Sequence, residues 1–395
     1  MLRFHTAGES HGEALIAVLS GVPAGLPIDQ AFLDRELWRR QQGFGRGGRM
    51  RIEQDHAHIL SGVRQGKTIG SPIAIQLENK DWENWQESLP VAAGDLAKHK
   101  AVTAPRPGHA DLAGAIKYDL PEARFVLERA SARESAARVA VGAVAKLLLR
   151  ALGIDVLSHV VAVGNASLPQ ELNVTWKQLE ALYEKNEVLL NCAHPATEQK
   201  MKAEVDAVLR SGDSVGGIFE VIAHHLPPGL GTYANWDERL DAQLAAALMS
   251  LPAVKAVELG RGIQAAVSSG SSVHDAIAYD RNAGAESFTG FTRGGNNAGG
   301  IEGGISNGQD IVVRGYLKPI STLRRPLKSV DFKTRDEVKA AYERSDVCVV
   351  PAAGVAGEAM VALTLAKCVL DKFGGDSMKE LTRNFTGYRE QIKTF

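Results

Sequence analysis

Apolar positions along the chain follow two periods. Residues 14–19 form a short apolar run, and Ile73, Ile75 and Leu77 alternate with polar neighbours across 71–78, the two-residue period of a half-buried strand. Residues 53–63, 218–223, 254–259, 263–268 and 311–316 read as further strands. Helical spacing marks 29–41, 236–249 and 132–152, the last Ala-rich, amphipathic and closed by Gly153. A helix over 199–210 is expected to face solvent by its charges. Another over 357–373, mostly apolar and stopped by Gly374 and Gly375, belongs in a core or an interface. Strands in pairs and long helices in separate blocks predict an α+β fold of stacked layers rather than regular βαβα alternation. No stretch resembles a flexible linker, so residues 1–395 are expected to form one composite domain.

The chain also echoes itself without gaps at an offset of 204 residues. Gly8, Ser10 and Gly12 match Gly212, Ser214 and Gly216; Pro23, Gly25 and Leu26 match Pro227, Gly229 and Leu230; Arg35 matches Arg239. Each copy runs turn, apolar strand, turn, helix, near 8–50 and 212–260, which predicts a duplicated unit and a pseudo-twofold relation between two layers. The copies differ where His11 becomes Val215. A histidine needed only to build the turn would be needed twice, so His11 points to chemistry.

Charge narrows the function. Lys plus Arg number 45 and Asp plus Glu 46, so no global field gathers nucleic acid or an acidic membrane, and any anion site is local. Three widely spaced cysteines, Cys192, Cys348 and Cys368, fit neither a disulfide framework nor a zinc cluster. No metal-binding spacing is present. No apolar run reaches the roughly 18 residues of a membrane span, and no secretory leader is visible. A soluble cytoplasmic protein is expected.

Six arginines crowd 35–51: Arg35, Arg39, Arg40, Arg46, Arg49 and Arg51, with glycines at 43, 45, 47 and 48 that let backbone approach a ligand. All are arginine and none lysine, and a planar guanidinium fork matches phosphate or carboxylate bidentately. A solvated basic helix face is the plainer alternative. In 104–111, Pro105 and Pro107 stiffen the chain around Arg106, and Gly108 turns it so that His109 and Asp111 project together. In 128–134, Arg129 and Arg133 sit at a helix start, where anions are already favoured; plain Glu–Arg pairing is the alternative. Residues 290–308 hold eight glycines with Asn296, Asn297 and Asn307, a loop able to wrap a phosphate or a planar ring through its N–H groups. It is neither a Walker A sequence nor a dinucleotide fingerprint. GESHG at 8–12 has the spacing of a nucleophile elbow, but a strand follows it where an elbow enters a helix.

These segments, GESHG at 8–12, GRGGRM at 45–50, RPGHAD at 106–111, RASARE at 129–134, the glycine-rich loop, KPIST at 318–322 and RSDVCVVPAAG at 344–354, resemble the chorismate synthase family in sequence and order. The resemblance implies a carbon–oxygen lyase that eliminates phosphate from 5-enolpyruvylshikimate 3-phosphate in the anti-1,4 sense to give chorismate, requiring reduced FMN with no net redox change. It also implies a homotetramer whose subunits form a β-α-β sandwich, helices packed between antiparallel sheets. By resemblance, Arg40, Arg46, Arg49, Arg106 and Arg133 grip the anionic substrate. His11 is the acid that meets the leaving phosphate, His109 protonates or stabilises the charge on reduced flavin, and Asp346 assists removal of the ring hydrogen. FMN contacts carry over to Arg129, Ala130, Ser131, Pro252, Ala253, Gly303, Lys318, Pro319, Ile320, Ser321, Thr322 and Arg344; relatives commonly have Asn or Gln where this chain has Pro252. Family descriptions also place a nicotinamide nucleotide at Arg40 and Arg46. Without a reductase segment or dinucleotide fingerprint, NADPH is expected here only as an indirect reductant, with an external flavin reductase as supplier. A nucleic-acid binder using 35–51, or another phosphate-handling enzyme such as a transferase, are the rival readings; neutral charge and sparse aromatics among the arginines weigh against the first.

Overall fold

The computed structural model describes residues 1–47, 54–93, 98–169, 172–281, 287–343 and 346–395. Two antiparallel sheets enclose a layer of helices. The first sheet has the order β1-β2-β4-β3, from β1 Arg3–Ala7, β2 Ala14–Ser20, β3 His58–Ile59 and β4 Ile73–Glu78. Its register places Leu15 opposite Leu77, Ala17 opposite Ile75 and Leu19 opposite Ile73, and all six are buried. Alternation in two strands thus becomes one continuous apolar face. The second sheet runs β8-β9-β7-β5-β6, from β5 Asp155–Val163, β6 Ala166–Ser167, β7 Gly217–His224, β8 Val254–Leu259 and β9 Ile311–Leu317.

The helices used below are α1 Gln30–Gln41, α2 Asp111–Tyr118, α3 Arg124–Arg129, α4 Ser135–Arg150, α5 Pro195–Ser211, α6 Leu240–Met249, α7 Val350–Phe373 and α8 Met378–Ile392; Trp176–Tyr183, Gly262–Ala266 and Gly270–Val273 are also helical. Helices α1, α4 and α7 pack on one another, α4 against the first sheet and α7 against the second. Gly142 makes the α4–α7 approach possible, because a Cβ there would lie 2.3 Å from that of Ala359. The sandwich expected from the resemblance is the observed architecture.

The sequence echo reaches individual hydrogen bonds. The Thr68 hydroxyl donates to Pro23 O and accepts from Leu26 N, while its backbone carbonyl accepts from Gly25 N. The Ser306 hydroxyl donates to Pro227 O and accepts from Leu230 N, while its carbonyl accepts from Gly229 N. Gly25 and Gly229 share the left-handed backbone, φ 90° and 101°, that only glycine adopts cheaply.

Several sequence expectations need correction. The strand expected over 53–63 is reduced to His58–Ile59 and the start of Val63–Arg64. Residues 263–268 are not a strand: Gly262–Ala266 is a helix, its Ile263 N–H donating to the Glu258 carboxylate. Ile263 and Val267 are 66% and 77% exposed, so no neighbouring surface rewards an extended conformation. The helix expected at 236–249 begins at Leu240, and 132–152 divides into a 3-10 turn, Ala132–Glu134, and α4. Helix α5 buries Met201 and Val205, so it is not simply a solvent-facing helix. Helix α7 starts at Val350, before the expected 357, and α8 was not foreseen. With 24 residues and mean hydropathy 1.6, α7 has the length and apolarity of a membrane span, yet 78% of its most apolar window is buried inside the protein.

A charged cluster lies at the centre of that helix layer. Glu358 on α7, fully buried, accepts from Arg39 at 2.7 Å through both carboxylate oxygens, from Lys146 at 2.7 Å and from the Ser158 hydroxyl at 2.6 Å. Glu36 completes it, accepting from Lys146 at 2.7 Å and from Arg39 at 3.2 Å. Two cations and two anions balance where burial of one unpaired charge is prohibitive. Burial alone would raise the Glu358 carboxyl, but Arg39 and Lys146 outweigh it and hold it down near 2. Glu358→Gln leaves two buried cations against one carboxylate and is expected to destabilise the fold by about 3–5 kcal/mol in urea denaturation.

Candidate active site

Where α1 ends and α4 and α7 begin, a cavity of about 860 Å³ opens. Two helix N-termini therefore converge on it, and both favour negative charge. Among the described residues, seven cationic side chains line it, Arg40, Arg46, Lys100, Arg106, Arg124, Arg133 and Lys318, against three acidic ones, Asp81, Glu343 and Asp346. Its floor is apolar: Leu251, Leu317, Ile320, Val349, Ala352, Ala353 and Ala356. Cationic and apolar side chains on one lining suit an anion beside a planar ring.

His11 follows the turn at Gly8, whose φ is 98° and where a Cβ would strike Ala14 O at 2.3 Å. Glu128 on α3 holds that turn. Its carbonyl accepts from Ser10 N at 3.0 Å, and its carboxylate accepts from His11 N at 2.8 Å and meets His11 Nδ1 at 3.0 Å. Trp85 stacks on the imidazole, ring centres 4.1 Å apart. Burial alone would raise the Glu128 carboxyl; the hydrogen bond and charge of His11 outweigh it and lower it. At the echo position the Val215 N–H donates to Val347 O and its side chain is buried.

His109 lies beyond Gly108, φ 79°, with Nδ1 2.5 Å from Asp111 Oδ1. Arg106 grips the same carboxylate through Nε at 2.8 Å and Nη2 at 3.1 Å, and reaches Thr322 through Nη1 at 2.9 Å. Arg106, expected to grip substrate, lines the cavity and is at the same time tied to Asp111 and Thr322. Asp346 accepts from Gly47 N at 2.6 Å and pairs with Arg46 at 2.9 Å.

Arg40 donates through Nε to the Ser135 hydroxyl at 2.9 Å and through Nη2 to Ala132 O at 3.0 Å. Its buried Nη1 makes no hydrogen bond among the described residues and lies 3.6 Å from Asp55. Burial, with Arg133 and Arg46 close by, outweighs Asp55 and brings Arg40 down to about 9. Arg40 is thus still charged at neutral pH, and a bound anion would stabilise it. Arg133 reaches Asp55 at 2.7 Å and Asn79 at 3.0 Å.

Of the expected flavin contacts, Ala130, Ser131, Pro252, Ala253 and Lys318 to Thr322 line the cavity. Ala253 is left-handed, φ 71°, a strained backbone of the kind that gathers at functional sites. Arg129 lines an adjoining hollow and donates to Gly8 O and Thr6 O. Gly303 sits in the hairpin Ile301–Glu302 and Ile305–Ser306, its carbonyl accepting from Arg239, and is not on the cavity lining. No described residue of 290–308 is on that lining; Asn296 instead ties the loop to itself through Gly300 N and Asp310 O. Arg49, Arg51 and Arg344 lie outside the described residues.

The arginine run also divides by role: Arg39 belongs to the core cluster and Arg35 donates to Tyr183 O, while Arg40 and Arg46 face the cavity. Sequence reasoning missed Asp55, Asn79, Trp85, Lys100 and Arg124. Glu128 was in view, but only as a helix-surface pair.

The chorismate synthase family model matches residues 2–370. The chain belongs to the chorismate synthase family. It is 70% identical over 395 residues to chorismate synthase of Koribacter versatilis (strain Ellin345), covering 100% of both chains, and 51% identical over 396 residues to that of Geobacter sulfurreducens, again covering 100% of both. A crystal structure of chorismate synthase, 41% identical, superposes with a TM-score of 0.78 over 100% of this chain and 99% of the other. Members of this family are carbon–oxygen lyases that release phosphate from 5-enolpyruvylshikimate 3-phosphate to form chorismate.

Burial alone would raise the Asp111 carboxyl, but hydrogen bonds from His109 and Arg106 outweigh it and hold it far below the usual range. A carboxyl lowered in the folded state contributes stability above its unfolded pKa of about 3.9. That contribution disappears as pH falls from there toward the folded value. Asp111→Asn is expected to be less stable than wild type at pH 7 and to show a shallower loss of stability on acidification below about pH 4, read by urea denaturation across pH.

Proposed function

We propose that this cavity carries out the family's elimination with the residues named by the resemblance and with reduced FMN bound over the apolar floor. The observation that supports it is the co-location of His11, His109, Asp346, Arg40, Arg46 and Arg133 around one cavity. Its roughly 860 Å³ lies at the upper end of ordinary ligand pockets, about 300–1,000 Å³. The floor from α7, with Pro252, Pro319 and Ile320 beside the donors Ser131, Lys318 and Thr322, fits a planar ring with a polar edge.

The substrate carries a phosphate and two carboxylates. Arg40, Arg46 and Arg133 hold these groups, assisted by the N-termini of α4 and α7. His11 delivers a proton to the phosphate oxygen as the allylic C–O bond breaks, so the leaving group departs with less charge. Reduced FMN, which Ala130, Ser131, Pro252, Ala253 and Lys318 to Thr322 would hold, would supply transient electron density as the C–O bond breaks. His109 would lie at the edge of the bound cofactor, and Asp346 receives the proton from the substrate ring, its carboxylate oriented by Arg46 and Gly47 N. One C–O and one C–H bond break, one C=C bond forms, and phosphate and chorismate leave with no net oxidation. On this reading the chain works as a homotetramer in the cytoplasm, and an external flavin reductase supplies reduced FMN, with NADPH acting only through that reductase.

Purified protein is expected to release phosphate from the substrate only with reduced FMN, under anaerobic conditions; equal turnover without flavin overturns the cofactor assignment. His11→Ala and His109→Ala are each expected to lose about 10²–10⁴-fold in kcat while keeping the wild-type circular dichroism spectrum.

A further inference from the structure

The two cavity histidines are supported by matching assemblies from different parts of the chain. Behind His11, the Glu128 carboxylate meets Nδ1 at 3.0 Å, accepts from the His11 N–H at 2.8 Å and also accepts from Arg124 Nη1 at 3.3 Å. Behind His109, Asp111 meets Nδ1 at 2.5 Å and accepts from Arg106 at 2.8 Å. Both carboxylates are at least 98% buried as residues, whereas both imidazoles line the cavity.

We infer that Glu128 and Asp111 are positioning residues, each fixing one imidazole with Nδ1 turned inward, so that proton exchange with the cavity runs through Nε2. The catalytic consequence rests on the elimination proposed above; the geometry does not. A neutral imidazole carries its proton on either nitrogen, and a carboxylate at Nδ1 selects the Nδ1–H tautomer. The arginine behind each pair competes for the same carboxylate.

Other charged groups facing the two rings come from several elements. Near His11, Lys100 and Arg124 lie 4.1 Å and 5.3 Å from the centre of the Trp85 ring that stacks on it, and Asp81 accepts from Trp85 Nε1. Near His109, Arg106 Nη2 lies 3.0 Å from Nδ1 and Lys318 donates to Gly108 O. These groups remain in the variants below, so a change reports the carboxylate removed.

Two variants at each position separate charge from hydrogen bonding. Glu128→Gln and Asp111→Asn keep an oxygen able to accept from Nδ1–H but remove the charge; Glu128→Leu and Asp111→Leu remove both. In ¹⁵N spectra of ligand-free protein above the histidine titration, wild type and the amide variants are expected to show Nδ1–H tautomers at His11 and His109. Each leucine variant is expected to lose that signature at its own histidine only. With substrate and reduced FMN, the amide variants are expected to lose about 10–100-fold in kcat, the size typical of carboxylates that orient functional histidines, with KM little changed. The alkaline limb of kcat/KM moves to lower pH, because an imidazole without its carboxylate holds its proton less firmly. Nε2–H tautomers in wild type, or amide variants with wild-type kcat and alkaline limb, overturn the inference. Wild-type protein that shows the Nδ1–H tautomer at both histidines but no flavin-dependent phosphate release would refute the elimination and leave the positioning geometry standing.

Discussion

The helix layer is held in register by four buried charges. Glu358, Arg39, Lys146 and Glu36 come from α7, α1 and α4, and each cation bridges both carboxylates. Apolar packing alone tolerates small slips between helices. A buried ion cluster does not, because any shift leaves a charge without a partner in a low-dielectric interior. The consequence reaches the cavity through one peptide bond. Successive helical residues point about 100° apart, so when Arg39 is fixed in the core, Arg40 is aimed past Ser135 into the cavity. The same register sets the first turns of α7, which supply its alanine floor.

The cavity wall is correspondingly poised for anions. Arg40 and Arg133 share the Asp55 carboxylate, and Arg40 is held below the ordinary arginine range by burial and its cationic neighbours. Placing the arginines costs solvation free energy, which the fold offsets elsewhere and an anionic ligand relieves. Arg106, by contrast, is nearly saturated by Asp111 and Thr322. Two arginines in equally basic motifs are thus tied differently, Arg40 to Ser135 and Ala132 and Arg106 to Asp111 and Thr322, and the difference lies in hydrogen bonds that sequence does not display.

What the sequence revealed follows a physical division. Ile73, Ile75 and Leu77 were legible because a buried sheet face imposes a two-residue period. Residues 263–268 misled because the same apolar residues, left in solvent, curl into a helix around Glu258. His11, His109 and Asp346 were legible within short motifs whose glycines and prolines announce a shaped loop. Asp55 and Trp85 were not: Arg133 meets Asp55 across 78 residues of sequence, and Trp85, beyond the end of β4, stacks on His11 from a distant part of the chain. The arginine run was legible as a group but not residue by residue, since helical phase sends Arg39 inward while Arg40 faces the cavity.

The two turns of the sequence echo both reach the cavity, by different means. In the first copy the turn carries His11 onto the cavity wall. In the second, Ser214 donates its hydroxyl to Ile320 O and Val215 donates its N–H to Val347 O. Those bonds brace 318–322, which lines the cavity, and the approach to α7 beside Asp346. At Gly216 a Cβ would lie 2.2 Å from Leu317 O, so the second turn packs against the end of β9 with no room for an added side chain there. Replacing His11 by Val215 is therefore not simple loss. An imidazole in the second turn would have to be buried at a strand end, where valine packs without leaving a polar ring to satisfy. One copy thus presents the histidine, and its twin holds in place the segment that faces it.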